Sequence, residues 1–376
     1  MKKSNKRKLI VQPLESRNVL AGNVIGGIVG NTLSLTGDVD HNQFIVEEIA
    51  SNQFQVTGLS GTTINSAGSQ IFTASQVDNV IINTLDGDDQ VIVNNVSLTD
   101  SPFGNLQIRT SGGDDVVSIS NTTTTQSIVV STGQQDDVVK VSYTSTNGTL
   151  GVYAGQGDDY VGGSYVKAKN LQVSTSTGKD TVEIFNGFAK NNIHVNTGSD
   201  ADRVNVNRLS AGNDIKLELG SHSDRLTSSK IRANHDVVVR GEDGNDKISM
   251  VSTAARGNVD VSTGTGHDYL RMAKTSAIDS VIVDLDAGND IANIKGVQAR
   301  NVYLTAGEGN DKVRMKAVNA ANEFKVHMEE GDDVLQVSNS TAMNPFFDGG
   351  DGDDTLYDLP NAFDEVLASA NFEAIL

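Results

Sequence analysis

The chain of 376 residues contains no cysteine and no tryptophan, and aromatic residues make up only 5% of it. Without cysteine it has no disulfide, no thiol chemistry and no cysteine-based zinc site. No run of 18 apolar residues occurs, so we expect no membrane-spanning helix. The scarcity of aromatic side chains also leaves little surface on which nucleic-acid bases could stack.

Positive charge is also scarce. The sequence has 48 Asp and Glu against 29 Lys and Arg, a net charge of -19, and its isoelectric point is about 4.6. An acidic chain of this kind is a poor partner for nucleic acid. We therefore expect no nucleic-acid binding.

One aspartate recurs along most of the chain, and we call its copies the anchor aspartates. They are Asp89, Asp115, Asp137, Asp159, Asp180, Asp202, Asp224, Asp246, Asp268, Asp290, Asp311, Asp333 and Asp354. Every interval after the first is 21 or 22 residues, and the first is 26. So constant a period indicates one structural unit copied head to tail, each copy packing on its neighbours.

Apolar residues alternate within each repeat. They occur two and four residues after the anchor, as in Val204 and Val206, and again 13 and 15 residues after it, as in Ile215 and Leu217. A period of two is typical of a half-buried strand. Nine residues after the anchor stands an alanine in nine consecutive repeats: Ala168, Ala189, Ala211, Ala233, Ala255, Ala277, Ala299, Ala320 and Ala342. Such a column predicts a tight corner, where a larger side chain would not fit.

These patterns predict an all-β fold, a single-stranded right-handed parallel β-helix (β-solenoid) of about 22 residues per turn, capped at both ends. Strands stacked about 4.8 Å apart would make thirteen turns about 60 Å long. An amphipathic helix is the competing interpretation. No 3.6-residue period persists, however, and the many Thr, Val, Asn and Gly residues oppose it.

The predicted boundaries divide the chain into four parts. Residues 1–22 are a targeting or secretion segment, 23–77 an N-terminal β cap, 78–357 the solenoid and 358–376 a C-terminal cap. The capping segments would cover ends that otherwise expose strand edges. The four extra residues between Asp89 and Asp115 predict a surface loop around Pro102 and Phe103.

The N-terminal segment is basic and then reads LESRNVLAG from Leu14 to Gly22. This run resembles the LEPR-x-LL element of planctomycete secreted and surface repeat proteins, with Ser16 where that family usually has proline. The resemblance covers nine residues and implies an extracellular or cell-surface location. The alternative interpretation is a disordered basic tail.

A glycine-rich turn precedes the anchors, and its fullest form is Gly-x-Gly, then Asp or Asn, then the anchor, as at Gly350, Gly352, Asp353 and Asp354. It resembles the calcium-binding repeat of RTX proteins, which recurs every nine residues instead of every 22. The resemblance implies Ca²⁺ between stacked turns. The candidate ligands are Asp88, Asp89, Asp114, Asp115, Asp158, Asp159, Asp311, Asp332, Asp333, Asp351, Asp353 and Asp354. A tight turn without metal is the alternative.

The central turns depart from this motif, because Asp200 and His222 replace the glycine and Lys179 and Ala201 replace the residue before the anchor. We therefore expect any ions to bind best near the two ends of the coil. Arginines and lysines cluster in the same stretch, for example Arg225, and could contact an acidic polysaccharide.

The sequence predicts a secreted or cell-surface structural or adhesive β-solenoid with Ca²⁺ as its candidate stabiliser. A polysaccharide-binding or polysaccharide-degrading β-helix enzyme is the alternative. Such enzymes build a groove from long loops that interrupt the repeat. This chain has almost no such loops, so we expect no enzymatic activity. Cell-surface polysaccharide and protein are the candidate partners.

Overall fold

The computed structural model describes residues 21–358 and 368–376, and within these residues the chain is all β, with no helix. Most of it winds into stacked parallel turns of about 22 residues, about 13 in all. The predicted β-solenoid is therefore confirmed. Its right-handed winding stays a prediction.

The strands follow the anchor spacing. The N-terminal strands are Asn23–Val29, Thr32–Thr36, Gln43–Ala50, Gln53–Gly58, Thr63–Ile64 and Ser69–Thr73. Strands directly after an anchor are Gln90–Asn94, Val116–Ser120, Val138–Ser142, Tyr160–Ser164, Thr181–Phe185, Arg203–Asn207, Val334–Ser338 and Thr355–Asp358. Two-residue strands follow at Ser97–Leu98, Thr123–Thr124, Ser145–Thr146, Lys167–Ala168, Phe188–Ala189 and Ser210–Ala211.

The remaining strands complete each turn. In four turns the first two strands merge, at Arg225–Ala233, Lys247–Ala255, Tyr269–Ala277 and Ile291–Ala299. Strands leading to the next anchor are Asn79–Asn83, Asn105–Gly112, Ile128–Gln134, Thr149–Gln156, Asn170–Thr177, Ile193–Asn196, Ile215–Ser221, Val237–Asp243, Val259–Ser262, Ser280–Asp284 and Asn301–Glu308. Lys312–Glu330 runs through a whole turn, and the last strands are Thr341–Asp348, Ala368–Ala370 and Ala374–Ile375.

Corresponding residues of successive turns lie side by side. Val204 pairs with Leu226, and Leu226 pairs with Ile248, all in parallel register. Because the register follows the sequence repeat, each column of the sequence becomes a physical ladder along the coil. Each turn has three strands, and in some turns the first two, the last two or all three of them are merged.

The core is built from these ladders. The alternating apolar residues point inward, and Val204, Val206, Ile215 and Leu217 are at most 1% exposed. The alanine column forms a buried corner, in which all nine alanines are 9% exposed or less. Both predictions are confirmed. Stacked aliphatic side chains therefore supply the burial that larger aromatic residues provide in a globular domain.

The N-terminal strands add antiparallel pairs to the first turn. Asn23–Val29 pairs with Thr32–Thr36, and Gln53–Gly58 lies between Gln43–Ala50 and Ser69–Thr73. Thr32–Thr36 and Gln43–Ala50 also pair in parallel with the first regular turn. This region thus supplies a first turn of the coil that carries no anchor aspartate.

The two predicted terminal segments are described only in part. Residues 1–20 and 359–367 lie outside the described residues, and most of the predicted targeting segment falls there. Within the C-terminal segment, Ala368–Ala370 and Ala374–Ile375 pair in parallel with strands of the preceding turns. The predicted surface loop is present, since residues 99–104 form no strand and Phe103 is 64% exposed.

Candidate functional site

The anchor aspartates form a buried ladder along one edge of the coil. All thirteen are at most 3% exposed. The backbone N–H of each anchor donates to Oδ1 of the anchor in the next turn, as from Asp224 to Asp246 (2.8 Å) and from Asp246 to Asp268 (2.6 Å). Each carboxyl group therefore satisfies a backbone N–H that the turn would otherwise leave without a partner.

Both ends of this anchor ladder are completed by other side chains. At the first turn Asn42 takes the anchor position, and its N–H donates to Oδ1 of Asp89 (2.7 Å). At the last turn the N–H of Asp354 donates to Oε2 of Glu373 (2.6 Å). The repeat pattern did not reveal Asn42 or Glu373, because neither is an aspartate and neither keeps the interval.

The second carboxyl oxygen of every anchor, Oδ2, is buried and has no hydrogen-bond partner among the described residues. Burial raises the pKa of Asp246 to about 7, and burial together with the neighbouring anchor charges raises the pKa of Asp224 and Asp311 to about 8. A free carboxyl group has a pKa of about 3.9. The anchors are thus poised to hold a proton on Oδ2 near neutral pH.

Threonine hydroxyl groups lie close to several anchors and lower the anchor pKa. This effect is smaller than that of burial, which raises the pKa, as for Thr132 beside Asp137. The Thr132 hydroxyl donates to the carbonyl of Ala154 (3.0 Å) and not to the carboxyl group. Its oxygen therefore remains able to accept a hydrogen bond from a protonated Oδ2.

The residues directly before the anchors, which we call pre-anchor residues, form a second ladder at the surface. The N–H of Asp332 donates to Oδ1 of Asn310 (2.9 Å), and that of Asp353 donates to Oδ1 of Asp332 (3.0 Å). This ladder runs in the opposite direction to the anchor ladder. It explains the preference for Asp and Asn at this position, and it stops where Lys179 and Ala201 offer no acceptor.

The predicted calcium ligands therefore divide into two groups. Asp89, Asp115, Asp159, Asp311, Asp333 and Asp354 are buried anchors, whereas Asp88, Asp114, Asp158, Asp332, Asp351 and Asp353 are exposed. The exposed group leaves carboxyl oxygens facing solvent on successive turns, and oxygen ligands are the type that Ca²⁺ prefers. Among the described residues, however, the only three acidic or histidine side chains close enough to share one ion are Asp214, His235 and Asp236, none of them a predicted ligand. Calcium binding at the predicted ligands stays a prediction.

A second acidic group, which the sequence analysis missed, lies at another corner of the coil. His235 Nδ1 lies 2.7 Å from Oδ1 of Asp214 and 3.2 Å from Oδ2 of Asp236. The hydrogen bond that Asp214 accepts from the His235 ring raises the pKa of His235. Oδ1 of Asp214 also accepts the N–H of Asp236 (3.0 Å), so this group belongs to a third side-chain ladder. The sequence feature that could have revealed this ladder is the recurrence of Asn, Asp or Ser twelve residues after the anchors.

One surface of the coil, formed by the strand after each anchor and the alanine corner that follows it, is strongly basic. In the six turns that start at Asp202 and end after Asp311, the ten residues following each anchor include fourteen Lys and Arg and not one Asp or Glu. We call these residues the basic face: Arg203, Arg208, Arg225, Lys230, Arg232, Lys247, Arg256, Arg271, Lys274, Lys295, Arg300, Lys312, Arg314 and Lys316. All are exposed except Lys316, which is half-buried. The face extends beyond the cluster seen in the sequence, because only the coil brings these distant residues together.

The fold and its ladders define the class as a parallel β-solenoid. Comparisons of the chain with protein-family models, with curated proteins and with solved structures gave no match in any of the three. No candidate membrane-spanning helix occurs in residues 21–358 or 368–376.

Proposed function

We propose that this chain is a secreted or cell-surface structural or adhesive protein, which presents a long rigid surface to its surroundings. The supporting observation is the regularity of the coil, in which only residues 99–104 interrupt the spacing between anchors. Ladders that pair every turn with the next favour a stiff rod over a hinged molecule. The three side-chain ladders, which bond each turn to the next at different corners, also favour a stiff coil.

The proposal includes no catalytic activity. Carboxyl groups with raised pKa values are frequent in active sites. Here those of the anchors lie inside the coil, where a substrate could not reach them, as at Asp224 and Asp311. Their environment is the one expected of groups that hold turns together.

The location is tested by adding protease to intact cells that express the full chain with a C-terminal epitope tag. We expect the tagged protein to be recovered in the medium, or to be removed from whole cells by the protease. A cytoplasmic enzyme in the same cells serves as the control for intactness. Retention of the protein inside intact cells, protected from protease, would contradict the proposed location.

We further propose that Ca²⁺ stabilises the exposed acidic edge near the C-terminal end. Asp332, Asp351 and Asp353 are exposed on adjacent turns there, and Glu330 forms a β-bridge with Asp351. Their like charges repel one another, and a divalent cation would reverse that interaction. Asp332 uses its Oδ1 to accept the Asp353 N–H, which leaves its Oδ2 for an ion.

Calcium should raise the melting temperature in proportion to the logarithm of its concentration above the dissociation constant, because it binds the folded state. Chelation should lower the melting temperature. The double variant Asp332→Asn with Asp353→Asn keeps the Asp332 ladder acceptor and should lose most of the response. Asp333→Ala with Asp354→Ala should lose the response too, because it disturbs the backbone that holds the exposed edge. Magnesium should substitute poorly, since it requires tighter octahedral geometry.

Calorimetric titration measures the binding directly. A matched control is Ser223→Asn, which adds an amide in the central turns and should leave the calcium response unchanged. A titration that shows no uptake at millimolar calcium, together with a melt indifferent to chelator, would leave the aspartates as turn residues alone.

A further inference from the structure

The basic face carries like charges in direct register. Arg203, Arg225 and Lys247 occupy paired positions on three successive strands, and Lys295 pairs with Lys316. Equal charges on directly opposite residues of neighbouring strands destabilise a sheet. The face therefore carries a repulsion within the folded protein, in a chain whose overall charge is -19.

This repulsion is not compensated within the described part of the chain, where none of the fourteen basic-face residues forms a salt bridge. Outside this face, three cations are paired with carboxylates: Lys216, Arg240 and Lys325. Nη2 of Arg240 lies 2.6 Å from Oδ2 of Asp260, and Nζ of Lys325 lies 2.9 Å from Oε1 of Glu323. The fourteen cations of the basic face are therefore free to bind external anions.

We propose that the basic face binds a linear anionic polysaccharide, carrying carboxylate or sulfate groups, that lies along the axis of the coil. Such a ligand would be met by a secreted or cell-surface protein, so the proposal rests on the function proposed above. Two shallow grooves cross the face. Arg271, Lys295 and Arg314 line one of them, and Arg208 and Lys230 line the other.

The dimensions of the face suit an extended polymer. Its six turns span about 24 Å if neighbouring strands are about 4.8 Å apart. A sugar unit in a linear polysaccharide is about as long as one turn is high, so anionic groups on successive sugars could meet cations on successive turns. The negative charge elsewhere opposes binding only weakly, because salt screens charges beyond about 8 Å at physiological ionic strength.

Two other anionic partners fit less well. Single-stranded nucleic acid is bound through stacking on aromatic side chains as well as through charge. Tyr269 is the only aromatic residue among the sixty positions of the face, and Lys247 lies over its ring at 5.3 Å from the centroid. A second copy of the chain would offer acidic side chains such as that of Asp332, whose Oδ1 already accepts a backbone hydrogen bond.

The test measures binding of the full chain to immobilised dextran sulfate, polygalacturonate and neutral dextran by surface plasmon resonance. We expect salt-sensitive binding to either or both of the anionic polymers and none to neutral dextran. The triple variant Arg271→Gln, Lys295→Gln and Arg314→Gln should weaken binding about ten-fold or more. The matched control removes three charges elsewhere, with Lys179→Gln, Lys216→Gln and Lys325→Gln, and should bind like the parent.

Melting curves establish that each variant is folded. Equal binding by the triple variant and the control, or tighter binding to single-stranded DNA than to either anionic polysaccharide, would overturn the proposal. Salt-sensitive self-association in sedimentation, lost in the triple variant while neither polysaccharide binds, would assign the face to a second copy. Polysaccharide binding by a protein retained inside cells would refute the proposed location and leave the chemistry of the face intact.

Discussion

The protein should melt at a higher temperature at pH 5.5 than at pH 8, by about 10 °C or more. The cause is the buried anchor ladder. Burial raises the pKa of Asp115 and Asp159 to about 7, and that of Asp224 and Asp311 reaches about 8. In the unfolded chain these carboxyl groups should titrate near their free value of about 3.9.

The sign follows from proton binding. Between pH 4 and pH 8 the folded state holds more protons on the anchors than the unfolded state does, so the free energy of unfolding falls as pH rises. The stabilisation is complete below the unfolded pKa and is lost as pH passes the folded values of about 6 to 8. Each pKa unit corresponds to about 1.4 kcal/mol, and twelve anchors have values raised to about 6, 7 or 8.

Substitutions at Asp246 provide the control. Asp246→Asn keeps an oxygen for the Asp224 N–H and removes the ionisable group, so it should stabilise the protein at pH 8 and have little effect at pH 5.5. Asn42 already occupies the equivalent position in the first turn. Asp246→Ala should destabilise at both pH values by about 1–3 kcal/mol, because the buried Asp224 N–H loses its acceptor.

Thermal melts across this pH range, with and without calcium, measure the effect. A melting temperature that falls steadily from pH 8 to pH 5.5 would contradict protonated anchors. If calcium abolished the pH dependence, the buried Oδ2 atoms would bind the ion and not a proton.

Replacing Gly266 with alanine should destabilise the coil by about 4 kcal/mol or more, which places it among the largest single-residue effects. Gly266 has a φ of +140°, which L side chains rarely adopt. A Cβ atom there would lie 1.7 Å from the carbonyl oxygen of Gly244 in the preceding turn. The carbonyl oxygen belongs to the backbone and the Cβ is fixed rigidly to it, so the overlap can be relieved only by separating the turns.

Two variants serve as controls. One tests the loss of glycine flexibility alone, and the other tests a different residue two positions before its anchor, as Gly266 is. Gly27→Ala places its Cβ in open space and should have little effect. Asp200 occupies the same column as Gly266 with a φ of 80° and already carries a side chain, so Asp200→Gly should be nearly neutral. Denaturant unfolding compares the three variants. A stability of Gly266→Ala within about 0.5 kcal/mol of the parent, the range of ordinary surface substitutions, would show that the turns can part here at little cost.

Much of the fold could be predicted because a solenoid converts sequence period directly into position. Columns such as Ala211, Ala233 and Ala255 needed no knowledge of long-range contacts, since neighbours in space are one period apart in sequence. The merging of strands at Lys312–Glu330 could not be predicted. It depends on small backbone adjustments at the corners, which residue types do not specify.

The candidate site was predicted less completely. The acidic edge was evident in the repeat, but the sequence could not show that Asp333 is buried while Asp332 is exposed. The two residues are adjacent and chemically identical, and only the alternation of side chains across the backbone separates them. The basic face was seen only in part, because Arg203 and Arg314 are 111 residues apart and share a surface only after five turns of the coil.

Glu373 ends the anchor ladder by accepting the last anchor N–H, and this affects whether a second copy of the chain can stack on the end of the coil. An open parallel coil offers unpaired backbone groups on which another coil could stack, and repetition of that contact would grow a fibre. With Glu373 bonded to Asp354, the last anchor N–H is already occupied when a second coil arrives. One carboxylate outside the repeat thus helps give the rod a finite length.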